Sequence, residues 1–345
     1  MLGRLSWQGV RACKAQVRFP GNRMRLILAA CLAALPAFAA PWAMADELFR
    51  YSGLCDASAA MALDRDHFVV ADDERNTLVT YQRGQPAPVA LLPLGAFLGT
   101  AADKESDLEG AAAVGSRIYW ISSHGRNKNG KLRKERHRFF ATEVDSRTVP
   151  PSLRPVGLPY TGLLEDLLSA DALKRYKLKD AAQRAPEAAG GFNIEGLAAT
   201  VDGKLLIGLR NPIVHGRALL VPLENPEAVV NGKAARIGTP ILLDLGGRGI
   251  RSIERMGSTT LIVAGAPDDS GGFALYQWSG KADDAPVLVK GLDFGSLRPE
   301  ALFELPMSNR MQFLSDDGGV ETGGVACKDR PAADRSFRSL TTNKP

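Results

Sequence analysis

Cysteine, histidine and tryptophan are scarce, at four each in 345 residues, and aromatic side chains make up only 7% of the chain. So few cysteines exclude a densely disulfide-stapled scaffold, and none stand as Cys-x-x-Cys, which excludes a zinc ribbon. Also missing are a Walker-type phosphate loop, a Gly-x-Ser-x-Gly elbow and a zincin His-Glu-x-x-His, so no chemistry can be assigned from a short motif. The one markedly apolar run, Leu26 to Ala40, is short and broken by Pro36, too little for a stable membrane anchor.

Acidic residues are missing from the first 45 positions, which carry Arg4, Arg11, Lys14, Arg18, Arg23 and Arg25. The formal charge of +5 therefore belongs to this leader. The remainder holds 37 basic against 38 acidic residues and has no global attraction for nucleic acid or anionic lipid. Arg23 and Arg25, the Ala-rich apolar run and the small residues Ala43-Met44-Ala45 read as a secretory signal peptide over residues 1–45, cleaved before Asp46. Translation can start at Met1 or Met24. A lipobox reading of Leu28-Ala29-Ala30-Cys31 leaves only about five apolar residues before the cysteine, too few for the apolar region of a signal. Cleavage removes Cys13 and Cys31. Cys55 and Cys327 remain near opposite ends of the mature chain, and an isolated pair in an oxidising compartment bonds.

What is plentiful is turn residues around short apolar runs, and these repeat. Five stretches share one grammar: a short strand, a turn, a second apolar strand, a polar cluster. They run from Asp56 to Glu74, Asp107 to His124, Asn193 to Pro212, Ile250 to Asp269 and Arg298 to Asp317. The spacing of about 50 residues suits a four-stranded blade. The prediction is an all-β propeller over residues 46–328 with about five four-stranded blades, six remaining open. In the fifth unit Thr322 to Cys327 is the last strand, and Leu48 to Leu54 pairs with it to close the ring, bringing the two thiols together. The larger gap between repeats two and three holds leucines at a 3.6-residue period, predicting one helical insertion at about 162–185. Residues 329–345 lack periodicity and read as a disordered tail.

Two rings of polar positions follow from the repeat register. On the innermost strands Ser58, Glu109, Glu195, Arg251 and Glu300 align. At the ends of the second strands Asp73, His124, Arg210, Asp268 and Asp316 align. Innermost strands line a propeller's channel, so the first ring converges there. Converging carboxylates need a cation, shared protons or a basic partner. Glu109, Glu195 and Glu300 are thus candidate metal ligands, for Ca²⁺ above all. Glu109, Glu195, His124 and Arg210 are the catalytic candidates, and Asp73, Arg251, Glu300 and Asp316 the ligand-binding ones. A structural alternative stays open: repeated polar residues often bond neighbouring blades. The basic stretch Arg126 to Arg138, turning at Asn129-Gly130, is a solvated hairpin or an anion-binding flap.

Cys55-Asp56-Ala57-Ser58, Val70-Ala71-Asp72-Asp73-Glu74, Ser122-Ser123-His124 with Arg133 to Arg138, and Ile194-Glu195-Gly196-Leu197 followed by Gly208-Leu209-Arg210-Asn211-Pro212 resemble the secreted bacterial domain of unknown function 3616 family. That family implies no activity. Gly191 to Ala198 is also similar to the repeat of esterase-like phytase propellers, a likeness that reaches only Glu109 and Glu195 and implies phosphoester hydrolysis with calcium. The sequence therefore leaves two expectations: an exported periplasmic hydrolase acting on phosphate or other esters at the channel, binding a small anionic or ester ligand, or a non-catalytic propeller that binds a ligand or protein there. Nothing in it sets the oligomeric state.

Overall fold

The second strand of each repeat is a nearly continuous apolar run, such as Thr259–Gly265 or Leu205–Asn211. A short run of that kind fits a strand covered on both faces, and each is buried along most of its length. The computed structural model describes residues 46–345 apart from Asp73 and Asp269. The signal peptide expected over residues 1–45 and the candidate residue Asp73 lie outside the described residues.

Strand β1 (Glu47–Ser52) precedes the first blade, β2 (Ala57–Ala62), β3 (His67–Asp72), β4 (Thr77–Gln82) and β5 (Pro88–Pro93). Blade two is β6 (Leu108–Val114), β7 (Arg117–Ser122), β8 (Phe139–Asp145) and β9 (Ser152–Tyr160). Blade three is β10 (Asn193–Ala199), β11 (Leu205–Asn211), β12 (Ala218–Leu223) and β13 (Ile241–Leu243). Blade four is β14 (Gly249–Met256), β15 (Thr259–Gly265), β16 (Ala274–Trp278) and β17 (Val287–Leu288). Blade five opens with β18 (Pro299–Glu304) and β19 (Arg310–Ser315), detours through the hairpin β20 (Glu321–Thr322) and β21 (Val325–Ala326), and continues with β22 (Ser336–Asn343). Its order is β1-β22-β19-β18, so N-terminal and C-terminal strands complete one sheet. All pairings are antiparallel, the innermost strands neighbour one another in a ring, and the architecture is a five-bladed β-propeller.

Five apolar clusters fill the five seams. Blades two and three share the largest, around Tyr119, Phe139, Ile207 and Leu219, on which the helical insertion lays Leu163, Leu164 and Leu167. Blades five and one meet through Tyr51, Phe68, Tyr81, Phe303 and Phe337, rings that contact one another edge-on or stacked. The other three seams have equivalent clusters. Burial of these side chains supplies the main driving force for closing the ring.

Three expectations change. The tail is not disordered: β22 is the third strand of blade five, fixed by a bidentate Arg338–Asp317 pair at 2.7 and 2.8 Å. Thr322 to Cys327 is not a blade strand but part of the small hairpin, and β1 pairs with β22 instead. The insertion is three short turns rather than one helix, Leu163–Ser169, Asp171–Tyr176 and Leu178–Ala181, because Lys177 takes a left-handed conformation at φ 54° between the last two. The disulfide is present, Cys55 to Cys327, tying the entry of β2 to that hairpin. Among the described residues no helix is long and apolar enough to cross a membrane.

Candidate functional site

Each innermost strand carries a β-bulge near its start, and the residue it expels from the ladder is Ser58, Glu109, Glu195, Arg251 or Glu300. A bulge re-aims a side chain that the pleat would otherwise send into a seam. All five bulged residues line one cavity of about 430 Å³ at this mouth of the channel. The Glu-Gly dipeptides have a steric cause. A Cβ on Gly196 would come within 2.7 Å of Ile250 Cγ2, and one on Gly110 within 2.9 Å of Ile121 Cγ2.

Arg251, 1% exposed, is the hub of the ring. Its Nε lies 2.9 Å from Glu195 Oε2, and its Nη2 donates to Glu300 Oε1. From the end of β11, Arg210 Nη1 donates to Glu195 Oε1 at 2.9 Å, and Asn193 Nδ2 donates to the same oxygen at 2.7 Å. Buried charges are tolerated in this way, by pairing with close hydrogen-bonded geometry. Burial still pushes the Glu300 carboxyl well above the usual range against the pull of Arg251, with Asp316 and Glu195 adding to the rise.

Of the second ring, Arg210 and Asp316 reach the cavity. His124 does not line it. The imidazole is buried in the wall, with Nδ1 2.8 Å from Ser122 O and its ring stacked on His137. Burial and the neighbouring His137 lower its pKa to about 3, so it is neutral at physiological pH. Asp268 is turned to solvent, accepting from Ser270 Oγ at 2.6 Å. The basic stretch is largely internal bracing. Arg136 Nη1 donates to Asp107 at 2.8 Å and its Nη2 to Glu105, while Arg126 Nε donates to Ala182 O at 2.9 Å.

Sequence reasoning missed Asp56, Asp107 and Asn193 as cavity residues. Each precedes a bulged residue by two positions, so the signal was present in the same register. Asp56 contacts Asp316, and burial followed by that carboxylate's charge pushes it up to about 9. The approach needs Gly318, whose Cβ would overlap Asp56 Oδ1, and Gly318 N donates to Asp316 Oδ1 at 2.9 Å. Burial also raises Asp107 and Glu74.

The calcium expectation does not fit this arrangement. Glu195 and Glu300 are bound to arginine, and among the described residues no three carboxylates or histidines converge to hold a metal ion. Of the outcomes open to converging acids, the ring shows salt bridging.

Residues 160–313 match the family model described as "Protein of unknown function (DUF3616)", which supports the family the sequence motifs resemble. No curated protein matches the sequence. Among solved structures, the chain is similar to the PQQ-bound aldose sugar dehydrogenase of Streptomyces coelicolor at 14% identity, covering 88% of this chain and 100% of that one with a TM-score of 0.42. It is similar to the Cps50 (Swd1) β-propeller domain of Myceliophteria thermophila at 10% identity, covering 85% and 98%, TM-score 0.38. YCF48 bound to D1 peptide is similar at 13% identity, covering 79% and 67%, TM-score 0.32. Likeness at this level assigns no activity.

Proposed function

We propose that the protein is an exported propeller that binds a small polar molecule in the cavity at the channel mouth. The observation that carries this reading is the convergence of five bulged residues, one from each blade, on a single polar cavity open at the channel mouth. Its volume of about 430 Å³ suits a small molecule. Glu109, Glu195, Arg210, Arg251, Glu300 and Asp316 are its binding residues. Export is supported by the Cys55–Cys327 bond, which persists in an oxidising compartment. Intact mass of the secreted protein beginning at Asp46 tests export. Crystals grown with metabolite mixtures, inspected for density at Arg251, test the site, and ligands found only outside the cavity would refute it.

A second reading, hydrolysis of an ester in the same cavity, is favoured by Asp56 and Asp316. A protonated carboxyl touching a second carboxyl brings a general acid and a base together. Carboxylic esters suit it better than phosphate esters, because Arg210 and Arg251, expected to orient an anion, are held by Glu195 and Glu300. A panel of nitrophenyl acyl esters and nitrophenyl phosphate tests it, and no turnover above buffer on either leaves only binding.

A further inference from the structure

The basic stretch and the helical insertion leave a second cavity between them, of about 470 Å³, which shares no lining residue with the channel cavity. The two segments are tied together by Arg126. Its Nε donates to Ala182 O at 2.9 Å, its Nη1 to Gly130 O at 3.0 Å and its Nη2 to Gln183 Oε1. Leu132 on one side and Leu164, Leu168 and Ala182 on the other give the cavity an apolar wall.

The charged part of the lining departs from the rule seen in the channel. There Arg136, Arg210 and Arg251 each meet a carboxylate. Arg138 is only 8% exposed, yet its bonds go to neutral carbonyls. Nε donates to Leu98 O at 2.8 Å, and Nη1 to Lys134 O at 2.8 Å and His137 O at 3.0 Å. Among the described residues Arg138 forms no salt bridge. Its Nη2 has no acceptor there and is not among the sealed polar atoms, and the side chain lines the cavity. A buried charge is ordinarily paired, because carbonyl dipoles only partly replace the water it has lost. Burial accordingly lowers the Arg138 pKa, with only Glu135 pulling the other way, whereas Arg136 rises in spite of burial because Asp107 and Glu105 hold it.

The surrounding charges do not cancel. Arg126, Lys134 and Arg138 line the cavity with Glu165, and Glu135 faces Arg138 from outside the lining. His137 adds no charge at neutral pH, because burial lowers its pKa. Three cations against two acids leave one positive charge over. A single negative charge balances it. Phosphate, close to doubly charged at pH 7, exceeds it and offers nothing to the leucines. A carboxylate on an apolar body satisfies both halves of the wall. One of its oxygens can accept from Arg138 Nη2 in a charge-assisted hydrogen bond, while its carbon chain displaces water from the apolar side.

We infer that the cavity between the basic stretch and the helical insertion binds an apolar carboxylate, such as a medium-chain fatty acid or an arylalkanoic acid, with its head group on Arg138 and Lys134 and its body against Leu132, Leu164 and Leu168. The site is independent of the channel cavity, and neither reading depends on the other.

Titration calorimetry on the full chain at neutral pH tests the inference, with octanoate and 4-phenylbutyrate as probes. Acetate lacks the apolar body, octanol lacks the charge, and octyl phosphate carries a different anion. The expected result is one-to-one binding of at least one of the two probes, at least tenfold tighter than acetate, octanol or octyl phosphate. Leu132 is 48% exposed, and Lys134 and Lys131 are exposed, so substitutions at all three are compatible with folding. Leu132→Glu and Lys134→Glu should each weaken the binding at least tenfold. Lys131→Glu makes the same charge change on the same segment outside the lining and should leave it within twofold, with unchanged melting in all three variants. Binding that survives both Leu132→Glu and Lys134→Glu, or that falls as far in Lys131→Glu, overturns the inference. Octanol or acetate binding as tightly as the probes, octyl phosphate binding more tightly, or no binding of either probe overturns it too.

Discussion

Arg251 on blade four bridges Glu195 on blade three and Glu300 on blade five, contacting both carboxylates across the channel mouth. One guanidinium thereby links three consecutive innermost strands. Its planar fork of donors suits this, where a lysine would contact only as a point charge.

Arg251→Met is expected to strand the buried Glu300 carboxyl and to leave Glu195 with Arg210 and Asn193 alone. Breaking a buried pair from one side costs about 3–5 kcal/mol. Urea unfolding should show that loss with an unchanged m-value. A loss under about 1 kcal/mol would mean the bridge contributes little. Arg251→Lys should fall between the two proteins.

Stability should fall with rising pH across the neutral range. Asp56 has a folded-state pKa raised to about 9, above the ordinary value near 4. Between those limits the folded state binds more protons than the unfolded one, so stability drops as pH climbs from about 4 to 9. Glu300 and Asp107 act in the same direction. Asp56→Asn should flatten the slope and raise the melting temperature at pH 8, with little change at pH 5. A wild-type melting temperature that climbs from about pH 6.5 to pH 8, above the range in which the lowered His124 adds stability with rising pH, would contradict the raised Asp56 carboxyl.

Truncation after Lys328 removes the whole of β22. Phe337, buried in the seam between blades five and one, goes with it, and β1 loses its partner. The truncated chain is expected to be insoluble or unfolded by circular dichroism. A cooperative melt near the full-length value would show that the last strand is dispensable.

The disulfide closes a loop of 272 residues. Removing a native disulfide costs about 2–5 kcal/mol in small secreted domains, by a mechanism that depends on the model chosen. Cys55→Ser with Cys327→Ser should lower the urea midpoint while leaving the blade packing intact. Thiol labelling of the denatured, non-reduced mature protein should find no free cysteine.

The channel ring was legible because repetition fixes register, and register alone selects Glu109, Glu195, Arg251 and Glu300. Asp56, Asp107 and Asn193 escaped because a single polar residue ahead of a strand reads as turn chemistry. Their importance comes from the bulge two residues later, which no local pattern announces. Strand β22 was missed for a compositional reason. Ser-Phe-Arg-Ser-Leu-Thr-Thr-Asn buries Ser339, Thr341 and Thr342 along with Phe337 and Leu340. Polar residues in the interior erase the apolar alternation. Strand β9 was hidden by Pro155 and Pro159, which suit an edge strand but argue against a central one. The second ring scattered because its members do not share one offset from the strand end: Arg210 lies within β11, whereas Asp316, His124 and Asp268 fall one, two and three residues past β19, β7 and β15.

Because Glu47 pairs with Thr341, the first strand leaves the ribosome almost a full chain length before its partner exists. Until then Tyr51 has no Phe337 to stack on, and blade one has no fifth blade to lean against. Blades two to four can assemble in order of synthesis, but the circle is sealed only by the final residues. A polypeptide built this way cannot complete its ring for as long as its C-terminus is withheld. The timing of ring closure is thereby assigned to the last eight-residue strand.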